Sequence, residues 1–411
     1  MNIYLSVKNM IRSCFCLCLL MPFALQAQQK KAWDQYHIYA GNTHSHTLFT
    51  SSHGAQYDFL PGFKEHMTVD SLHLSRPLHT VFKADWPKLQ GPPSAHYTKA
   101  KAEGYDFYIT TDHSQEPAFH PTSPDNFAWQ LTGQQAAEAT DSNFIAIRGY
   151  EHSENNGPGG KGHLNVINSA SYLNALEPGI DLQYLYNWLK TVPANGDGPV
   201  VVSFNHPGPD QYDNWAYRDP EITNIITLLE VINSNNHIHY EAFIHALDKG
   251  WKVSPVCGND NHGLQGISAQ HSRTFVLATQ RSKAAILEAM KQRRTYASLD
   301  KNIQCRYSVN GQIMGATLSP AGLYHFDILI NDPDTDNPND KITKIDIVSD
   351  SGVVVKTYQP TPAYRVEWTP SIPGKGNKYF FVRVWNAGGG DAPGADPAKP
   401  VAWLAPVWTG K

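Results

Sequence analysis

The sequence contains few cysteines and lacks the short motifs of several common enzyme classes. Three of its five cysteines fall within the first 18 of 411 positions, and only Cys257 and Cys305 remain beyond them. Two cysteines do not build a disulfide-dependent scaffold, although the sequence leaves open whether they pair. No phosphate-cradling glycine loop, nucleotide fingerprint or serine-nucleophile motif is present. Nucleotide binding and serine-dependent hydrolysis therefore have no support.

Excess positive charge is also absent. The formal charge is −4, and it becomes −6 when the basic residues of positions 1–27 are removed. Binding to nucleic acid or to an anionic membrane depends on clustered Lys and Arg side chains, so neither partner is expected. The 41% hydrophobic and 17% charged residues are ordinary for a globular protein.

Residues 1–27 are predicted to be a cleaved signal peptide. Lys8 and Arg12 precede an apolar run from Cys14 to Leu25, and this run is shorter than the ~20 residues that span a bilayer. The residues of a lipidation box do not surround the cysteines of this segment. We therefore expect a periplasmic or secreted protein without a stable membrane anchor.

From residue 32 to residue 298, short apolar runs alternate with helix-like stretches, a pattern typical of parallel β/α units. The predicted strands are Tyr39–Asn42, Phe107–Thr111, Phe144–Arg148, Leu164–Ile167, Val200–Phe204, Ile226–Ile232, Val253–Cys257 and Thr274–Leu277. The predicted helices are Ala95–Glu103, Leu182–Lys190, Tyr240–Asp248 and Lys283–Arg293. Because β/α barrels carry their chemistry at the C-terminal ends of the strands, polar residues that follow these runs are candidates for a site.

Two regions depart from this rhythm. Residues 53–93 contain five prolines, and so long a segment at a barrel mouth is either a binding loop or lid, or a surface excursion packed on the barrel. After residue 298, short β-like runs separated by Gly, Pro, Asn and Asp predict a small antiparallel β-sandwich over residues 303–411. These runs are Ile303–Val309, Leu323–Leu329, Ile342–Ser349, Val353–Tyr358, Tyr364–Trp368 and Tyr379–Trp385.

One loop of the C-terminal region resembles half of a calcium-binding loop. Asp332, Asp334 and Asp336 alternate as the first ligands of such a loop do. Asn337 stands where the loop needs glycine, and Thr343 stands where it needs the closing glutamate. The pattern therefore favours a solvated hairpin loop.

Histidine and acidic residues recur at the ends of the apolar runs, and nineteen histidines are more than packing or solubility requires. A His-x-His pair at a strand end places both imidazoles on one side, because side chains alternate with period two. Such a pair can hold one metal ion. The segments are His44-Ser-His46, Asp112-His113, Gly149-Tyr-Glu151, Gly162-His163, Asn205-His206-Pro207 and Asp260-Asn-His262.

Read in this order, the segments resemble the motifs of the PHP (polymerase and histidinol phosphatase) family of metal-dependent hydrolases, and the resemblance covers residues 32–298. It implies an α/β fold in which a distorted (β/α)7-type barrel carries a centre of two or three metals at the C-terminal ends of its strands. The segment after the barrel, which ends in Val401–Trp408, resembles that of exported members. The small antiparallel β-sandwich would follow the barrel directly.

The resemblance also implies the metal ligands. These are His44, His46, His113, Glu151, His163, His206, Asp260 and His262. Glu151 and Asp260 are the expected negative ligands, with a bridging and catalytic role. Imidazole-rich sets suit zinc, manganese or iron better than calcium or magnesium, so two or three such divalent ions are the expected cofactors.

Further positions are candidates with open alternatives. The opening motif of the family is displaced here, so His53 is the candidate for a ninth ligand and Asp58 is its alternative. Asp112, beside a predicted ligand, has a catalytic supporting role if it orients an imidazole, or else it caps the following turn. The basic residues in candidate mouth loops, which would bind substrate or remain solvated, are Lys64, Arg76 and Lys161.

The expected activity is hydrolysis by water whose pKa is lowered from 15.7 toward about 7 at the metals. The favoured substrate is a phosphomonoester or phosphodiester, and a carboxylic or carbamate ester is the alternative. A small-molecule or glycan-linked ester is the expected partner. A non-catalytic module that binds a metal or a glycan is the third hypothesis, and lost ligands would be its signature.

Overall fold

The computed structural model describes residues 30–50, 90–154, 161–175, 177–268, 270, 272–374, 376–392 and 394–410. From Ala32 onward the described residues form one compact unit. The predicted signal peptide and residues 53–89 of the predicted mouth insertion lie outside the described residues, and so do His53, Asp58, Lys64 and Arg76. In the part that is described, no helix has the length and apolar character needed to cross a membrane.

The region up to residue 298 provides strands interleaved with helices. The strands are β1 (His37–Asn42), β2 (Ser45–His46), β3 (Phe107–Thr110), β4 (Ile145–Glu154), β5 (Gly162–Ile167), β6 (Val201–Asn205), β7 (Ile226–Asn233), β8 (His237–Ile238), β9 (Ser254–Cys257), β10 (Asn261–His262), β11 (Arg273–Ala278) and β12 (Thr295–Ser298). The helices are α1 (Pro93–Ala102), α2 (Phe127–Ala139), α3 (Leu182–Leu189), α4 (Pro220–Thr223), α5 (Tyr240–Asp248) and α6 (Lys283–Lys291).

The C-terminal region is built from strands. They are β13 (Gln304–Val309), β14 (Gln312–Ile313), β15 (Leu323–Asn331), β16 (Ile342–Val348), β17 (Val354–Tyr358), β18 (Arg365–Trp368), β19 (Ser371–Pro373), β20 (Tyr379–Asn386), β21 (Ala402–Leu404) and β22 (Val407–Trp408). Each of the six β-like runs predicted here coincides with one of these strands, as do the eight runs predicted before residue 298 with strands of that region.

Helix α2 is the main element that the sequence pattern did not predict. Its sequence, rich in Gln and Ala, has no strong apolar stripe. The helix begins where the side chain of Asn126 accepts a hydrogen bond from the backbone N–H of Trp129, which satisfies one of its unpaired donors. Trp129 itself is buried and anchors the helix to the core.

The principal sheet is mixed, so the prediction of parallel β/α units is correct only in part. β1, β3 and β4 are parallel neighbours, and so are β6, β7 and β9. β5 is antiparallel to both β4 and β6, and β11 is antiparallel to β1 and β12. Only seven residues separate β4 from β5, too few for the crossover that a parallel pair needs.

Side chains rather than a backbone ladder connect β9 to the other edge of this region. The hydroxyl of Thr274, on β11, donates to the carbonyl of Cys257 at 2.8 Å. The hydroxyl of Thr295, on β12, donates to the carbonyl of Pro255 at 2.9 Å. These contacts bring β9 against β11 and β12, and because β11 pairs with β1, the C-terminal ends of β1 and β9 lie at one mouth.

The C-terminal strands divide between two sheets. β13, β14, β15, β18 and β19 form a separate antiparallel sheet, whereas β16, β17, β20 and β21 extend the principal sheet through the pairing of β21 with β12. Phe326 of β15 packs edge to face on Phe380 of β20, with ring centroids 5.7 Å apart. The boundaries at residues 298 and 303 stay predictions, since the two regions share both a sheet and a core. Cys257 and Cys305 are buried free thiols.

Candidate metal centre

The residues of the predicted metal centre lie at the ends of strands that converge on one mouth. His44 and His46 follow β1, His113 follows β3, and Glu151 and His163 lie within the paired strands β4 and β5. His206 follows β6, and Asp260 and His262 lie just beyond β9. Short β2 and β10 pair in parallel, which places His46 opposite His262. The ligand set therefore assembles because successive motifs end at the same edge of the sheet.

Two imidazole nitrogens face each other at the middle of the site. Nε2 of His44 lies 3.0 Å from Nε2 of His46, and Nε2 of His46 lies 3.0 Å from Oδ1 of Asp260. Both histidines are completely buried. Convergence of two imidazoles and a carboxylate on one point is the arrangement in which a divalent cation takes all three as ligands.

Glu151 stands between the two halves of the site. Its Oε2 lies 2.8 Å from Nε2 of His113 and 3.4 Å from Nε2 of His44. Its Oε1 lies 3.1 Å from Nδ1 of His163 and 3.2 Å from Nε2 of His206. One buried carboxylate thus offers a different oxygen to each group of imidazoles, which is the geometry of a bridging ligand.

The outward-facing nitrogens of three imidazoles are held by oxygen acceptors. Nδ1–H of His44 donates to Oε1 of Glu230 at 2.8 Å. Nδ1–H of His262 donates to the backbone carbonyl of Asp260 at 3.1 Å. Nδ1 of His46 lies 3.3 Å from the hydroxyl oxygen of Thr50. A proton on Nδ1 leaves the lone pair on Nε2, so these contacts fix the tautomer that binds a metal.

Asp112 supports the site through threonines and does not touch an imidazole. Its carboxylate accepts from the N–H and hydroxyl of Thr47, at 2.6 and 2.8 Å, and from the hydroxyl of Thr50 at 2.8 Å. Since the Thr50 hydroxyl donates to Asp112, it is free to accept from Nδ1–H of His46. Asp112 thus fixes the turn after β2 and contacts the hydroxyl that lies beside Nδ1 of His46, while its supporting role in catalysis and the capping of the turn that follows it stay predictions.

Glu230 is the residue of this site that the sequence analysis missed. It is completely buried on β7, and besides His44 it accepts from the backbone N–H of His206 at 2.8 Å. A single acid inside the apolar run Ile226–Ile232 was the available signal. Gly258 packs directly against it, because a Cβ at that position would lie 1.9 Å from Oε1 of Glu230. Glycine is therefore required for Glu230 to reach His44.

The electrostatics keep the carboxylates charged and divide the imidazoles into those with a raised and those with a lowered pKa. Burial lowers the pKa of His46 to about 4, and the charge of His113 acts in the same direction. Burial by itself would raise the pKa of Glu151, but the imidazoles led by His44 outweigh it and hold this pKa well below its ordinary value. Burial would also raise the pKa of Asp260, but the neighbouring imidazoles, led by His44, outweigh it and hold this pKa well below its ordinary value. The carboxylates act in the opposite direction on other imidazoles: against the effect of burial, Glu151 raises the pKa of His113 to about 10, and Glu230 and Glu151 raise the pKa of His44.

Backbone strain occurs at two of the candidate ligands. His206 has φ of 29° and Asp260 has φ of 48°, a region that non-glycine residues seldom adopt. Asp260 is held there by its N–H, which donates to the carbonyl of His44 at 3.0 Å. Such strain persists where the surroundings over-determine it, as they do at functional sites.

The remaining candidate described by the structure is Lys161, which forms an ion pair with Asp213. This contact neutralises the charge that was expected to bind substrate. His237, His239 and His245, which match no motif, do not belong to any of the metal-holding groups found in the described part of the chain. The roles assigned to individual ligands stay predictions.

Four groups of three potential ligands show that metal ions fit in this site. Within each group, one ligand atom from every residue lies within 4.8 Å of the other two. The groups are His46/His113/His262, His44/His206/Asp260, His44/His46/Glu151 and Glu151/His163/His206. His46/His113/His262 and His44/His206/Asp260 have no residue in common, so two ions fit without a shared ligand, whereas a third would need one. The mixed nitrogen and carboxylate donors of the four groups suit divalent metals. The described residues therefore fit a site for divalent metals.

Comparisons with known proteins give two solved structures of interest. A two-domain protein of Bacteroides vulgatus containing a predicted PHP-like metal-dependent phosphoesterase is 20% identical, with a TM-score of 0.45, over 91% of this chain and 96% of that chain. A lesion-specific endonuclease of Pyrococcus furiosus is 11% identical, with a TM-score of 0.30, over 75% of this chain and 62% of that chain. No family model and no curated protein matches the chain. At these identities and TM-scores, neither structure defines a family or a substrate for this chain.

Glu230→Gln is expected to lower metal affinity and turnover ~10–100-fold, the usual effect of losing a group that orients a metal-bound histidine. The amide keeps the volume but removes the negative charge that holds Nδ1–H of His44. Titration of the metal-stripped variant with zinc or manganese, followed by calorimetry, measures the affinity directly. Saturating metal should restore much of the rate.

The matched control is Glu288→Gln, because Glu288 is exposed on α6 and bonds only Gln292 within its own helix. An equal loss of metal affinity in both variants would contradict the positioning role. So would a Glu230→Gln protein that binds metal as tightly as the wild type.

Proposed function

We propose that this protein is an exported phosphoesterase that hydrolyses its substrate with water activated at a centre of two or three divalent metals, zinc, manganese or iron. The proposal includes the finer features of the fold, a distorted (β/α)7-type barrel followed by an antiparallel sandwich. The observation that carries it is the position of Glu151, whose two oxygens lie within 3.5 Å of five imidazoles.

The residues that would hold the metals also define what each can do. Glu151 and Asp260 supply negative charge, and His44, His46, His113, His163, His206 and His262 supply neutral donors. When bound, clustered divalent ions lower the pKa of water toward about 7 and neutralise charge that develops on a phosphoryl oxygen. Glu230 and Thr50 keep their imidazoles in the orientation and tautomer that this chemistry requires.

A cavity of about 680 Å³ beside the centre supports an anionic substrate. Its lining includes Ser234, whose hydroxyl lies 3.3 Å from Oδ2 of Asp260. Arg383 and Lys399 line it further out, together with Trp403, whose buried Nε1–H has no hydrogen-bond acceptor. Arg383 pairs with Asp346 and Lys399 with Asp396, and their positive charge in a cavity that reaches Ser234 matches a phosphate ester better than a neutral carboxylic or carbamate ester.

The test is a substrate screen of the full chain loaded with zinc, manganese or iron. Reporters are a phosphomonoester, a phosphodiester and a carboxylic ester, with Glu151→Gln as the inactive comparison. Turnover of a phosphate ester that is competitively inhibited by inorganic phosphate is expected. Turnover of the carboxylic ester alone would establish the alternative class, and stoichiometric metal without any turnover would favour a binding module.

We also propose that the mature protein acts in the periplasm or outside the cell on a small-molecule or glycan-linked ester, without a nucleic-acid partner or a stable membrane anchor. The basic and apolar segments of residues 1–27 support export, and the formal charge of −6 beyond them gives no support to nucleic-acid binding. N-terminal sequencing of the protein recovered from the periplasm or medium tests the cleavage near Ala27.

A further inference from the structure

A second acidic cluster, sharing no residue with the histidine-rich centre, lies where the two sheets meet. Asp300 lies in the connection from β12 to β13, Asp332 directly follows β15, and Asp340 precedes β16. One carboxylate oxygen from each lies within 4.8 Å of the others. β12 and β16 belong to the principal sheet, whereas β13 and β15 belong to the smaller sheet. The three acids therefore lie in chain segments that run from one sheet to the other.

The three carboxylates are buried. Asp300, Asp332 and Asp340 are 1%, 0% and 3% exposed. Among the described residues, no Lys, Arg or His nitrogen forms an ion pair with any of the three. Removing carboxylates from water is costly unless an opposite charge accompanies them, and three together repel one another. The arrangement therefore lacks a counter-charge of about the size of a divalent cation.

Asp332 provides an independent observation that points to a ligand. Its Oδ1 accepts from the backbone N–H of Asp334 at 2.9 Å, whereas its completely buried Oδ2 has no hydrogen-bond partner. Oδ1 of Asp300 also accepts backbone hydrogen bonds, from the N–H groups of Asn302 and Ile303 at 2.9 and 2.8 Å. Backbone donors thus fix one oxygen of Asp300 and one of Asp332. Nδ2 of Asn386 donates to the other oxygen of Asp300 at 3.5 Å, and among the described residues Oδ2 of Asp332 is left for a ligand.

Lys301, which follows Asp300 in the sequence, already pairs with two other acids. Nζ of Lys301 lies 2.8 Å from Oδ2 of Asp334 and 3.4 Å from Oδ1 of Asp391. These two acids add further negative charge around the cluster. The single ammonium group consequently balances the outer acids and leaves the three inner acids uncompensated.

We propose that Asp300, Asp332 and Asp340 bind one calcium ion that ties the smaller sheet to the principal sheet. The donors of this group are all carboxylate oxygens, which calcium prefers, and the buried thiol of Cys305, whose pKa is raised by burial and by the charges of Asp300 and Asp332, is not one of them. Asp332 begins the calcium-like pattern of the sequence, but its expected partners are replaced: Asp334 pairs with Lys301, and Asp336 is exposed. The site is therefore assembled from distant segments and not from one loop.

The experiment uses the full chain with the histidine-rich centre already loaded with zinc, so that calcium acts only elsewhere. Calorimetric titration with calcium is expected to show one ion per chain. At a free concentration about 100-fold above the dissociation constant, the melting temperature should rise by about 5 °C. An equal response to magnesium, or no response to calcium, would overturn the assignment.

Variants separate binding from folding. Asp332→Asn should abolish both the heat of binding and the calcium-dependent rise, whereas Asp336→Asn, an exposed acid of the same loop, should keep both. Without calcium, Asp332→Asn should melt no lower than the wild type, because it removes an uncompensated buried charge. A calcium response that survives in Asp332→Asn would contradict the proposal.

A shared proton is the competing way to stabilise the cluster. Burial, reinforced by the charge of Asp332, raises the pKa of Asp300. A carboxyl with a raised pKa in the folded state loses stability as the pH rises through that pKa. A melting temperature that falls with pH to the same extent with and without calcium would therefore overturn the calcium site.

Discussion

Glu151→Gln is expected to lower turnover ~10²–10³-fold and to remove at least one metal ion per chain. The glutamine keeps the volume of the side chain but cannot supply a negative oxygen to both groups of imidazoles. The cations that the site holds would then repel one another without a shared anion. Turnover with the best ester substrate and metal content by elemental analysis measure the two effects together.

Asp260→Asn provides a second, independent test of the same reasoning. Asp260 lies 3.0 Å from Nε2 of His46, opposite the position of Glu151, and it is the other acid expected to hold adjacent metals. A comparable fall in metal content and rate is expected. Glu288→Gln is the control for both variants, since it removes an equivalent charge from an exposed helix surface. Wild-type metal content and rate in both acidic variants would show that the ligand assignment is wrong.

Stripping the protein of transition metal is expected to reduce hydrolysis to background and to lower the melting temperature. The two Nε2 atoms of His44 and His46 are 3.0 Å apart, and buried carboxylates surround them. A metal that binds only the folded state stabilises it by ~4 kcal/mol at 1,000-fold above its dissociation constant. Removing the metal therefore lowers the free energy of unfolding by the same amount.

Addition of zinc or manganese should restore both activity and stability, whereas calcium alone should restore no activity. In Glu151→Gln the effect of the chelator on the melting temperature should be smaller, because less metal is bound at the start. Full hydrolysis in a sample shown to be free of transition metal would refute the metal-dependent mechanism. The two readouts separate loss of chemistry from loss of structure.

The candidate metal ligands were predictable because each lies in a short motif next to a strand. Strand periodicity placed His44 and His46 on one side, and apolar runs marked where the chain would reach the mouth. The structure places all eight predicted ligands described above around one centre, with strands within a few residues of the predicted bounds. Local sequence is sufficient here because ligand spacing and strand ends are local properties.

The supporting residues were not predictable in the same way. Glu230 meets His44 across 186 residues of sequence, and Asp112 contacts the Thr50 hydroxyl that lies beside Nδ1 of His46. Neither contact has a local signature, because it depends on which strands become neighbours and in which register. Lys161 shows the same limit of the sequence for a candidate substrate-binding residue. Its ion pair with Asp213, 52 positions away, could not be read from the local sequence.

The sequence by itself thus determined the α/β character, the strands and the metal-binding motifs of this protein, since periodicity and donor chemistry are written residue by residue. Tertiary structure alone decided that β5 runs antiparallel, that β21 joins the C-terminal strands to β12, and that Asp300, Asp332 and Asp340 meet. These features depend on long-range pairing and burial, whose free energy is a sum over contacts between distant segments. The pattern of residues along the chain does not show which distant segments come into contact.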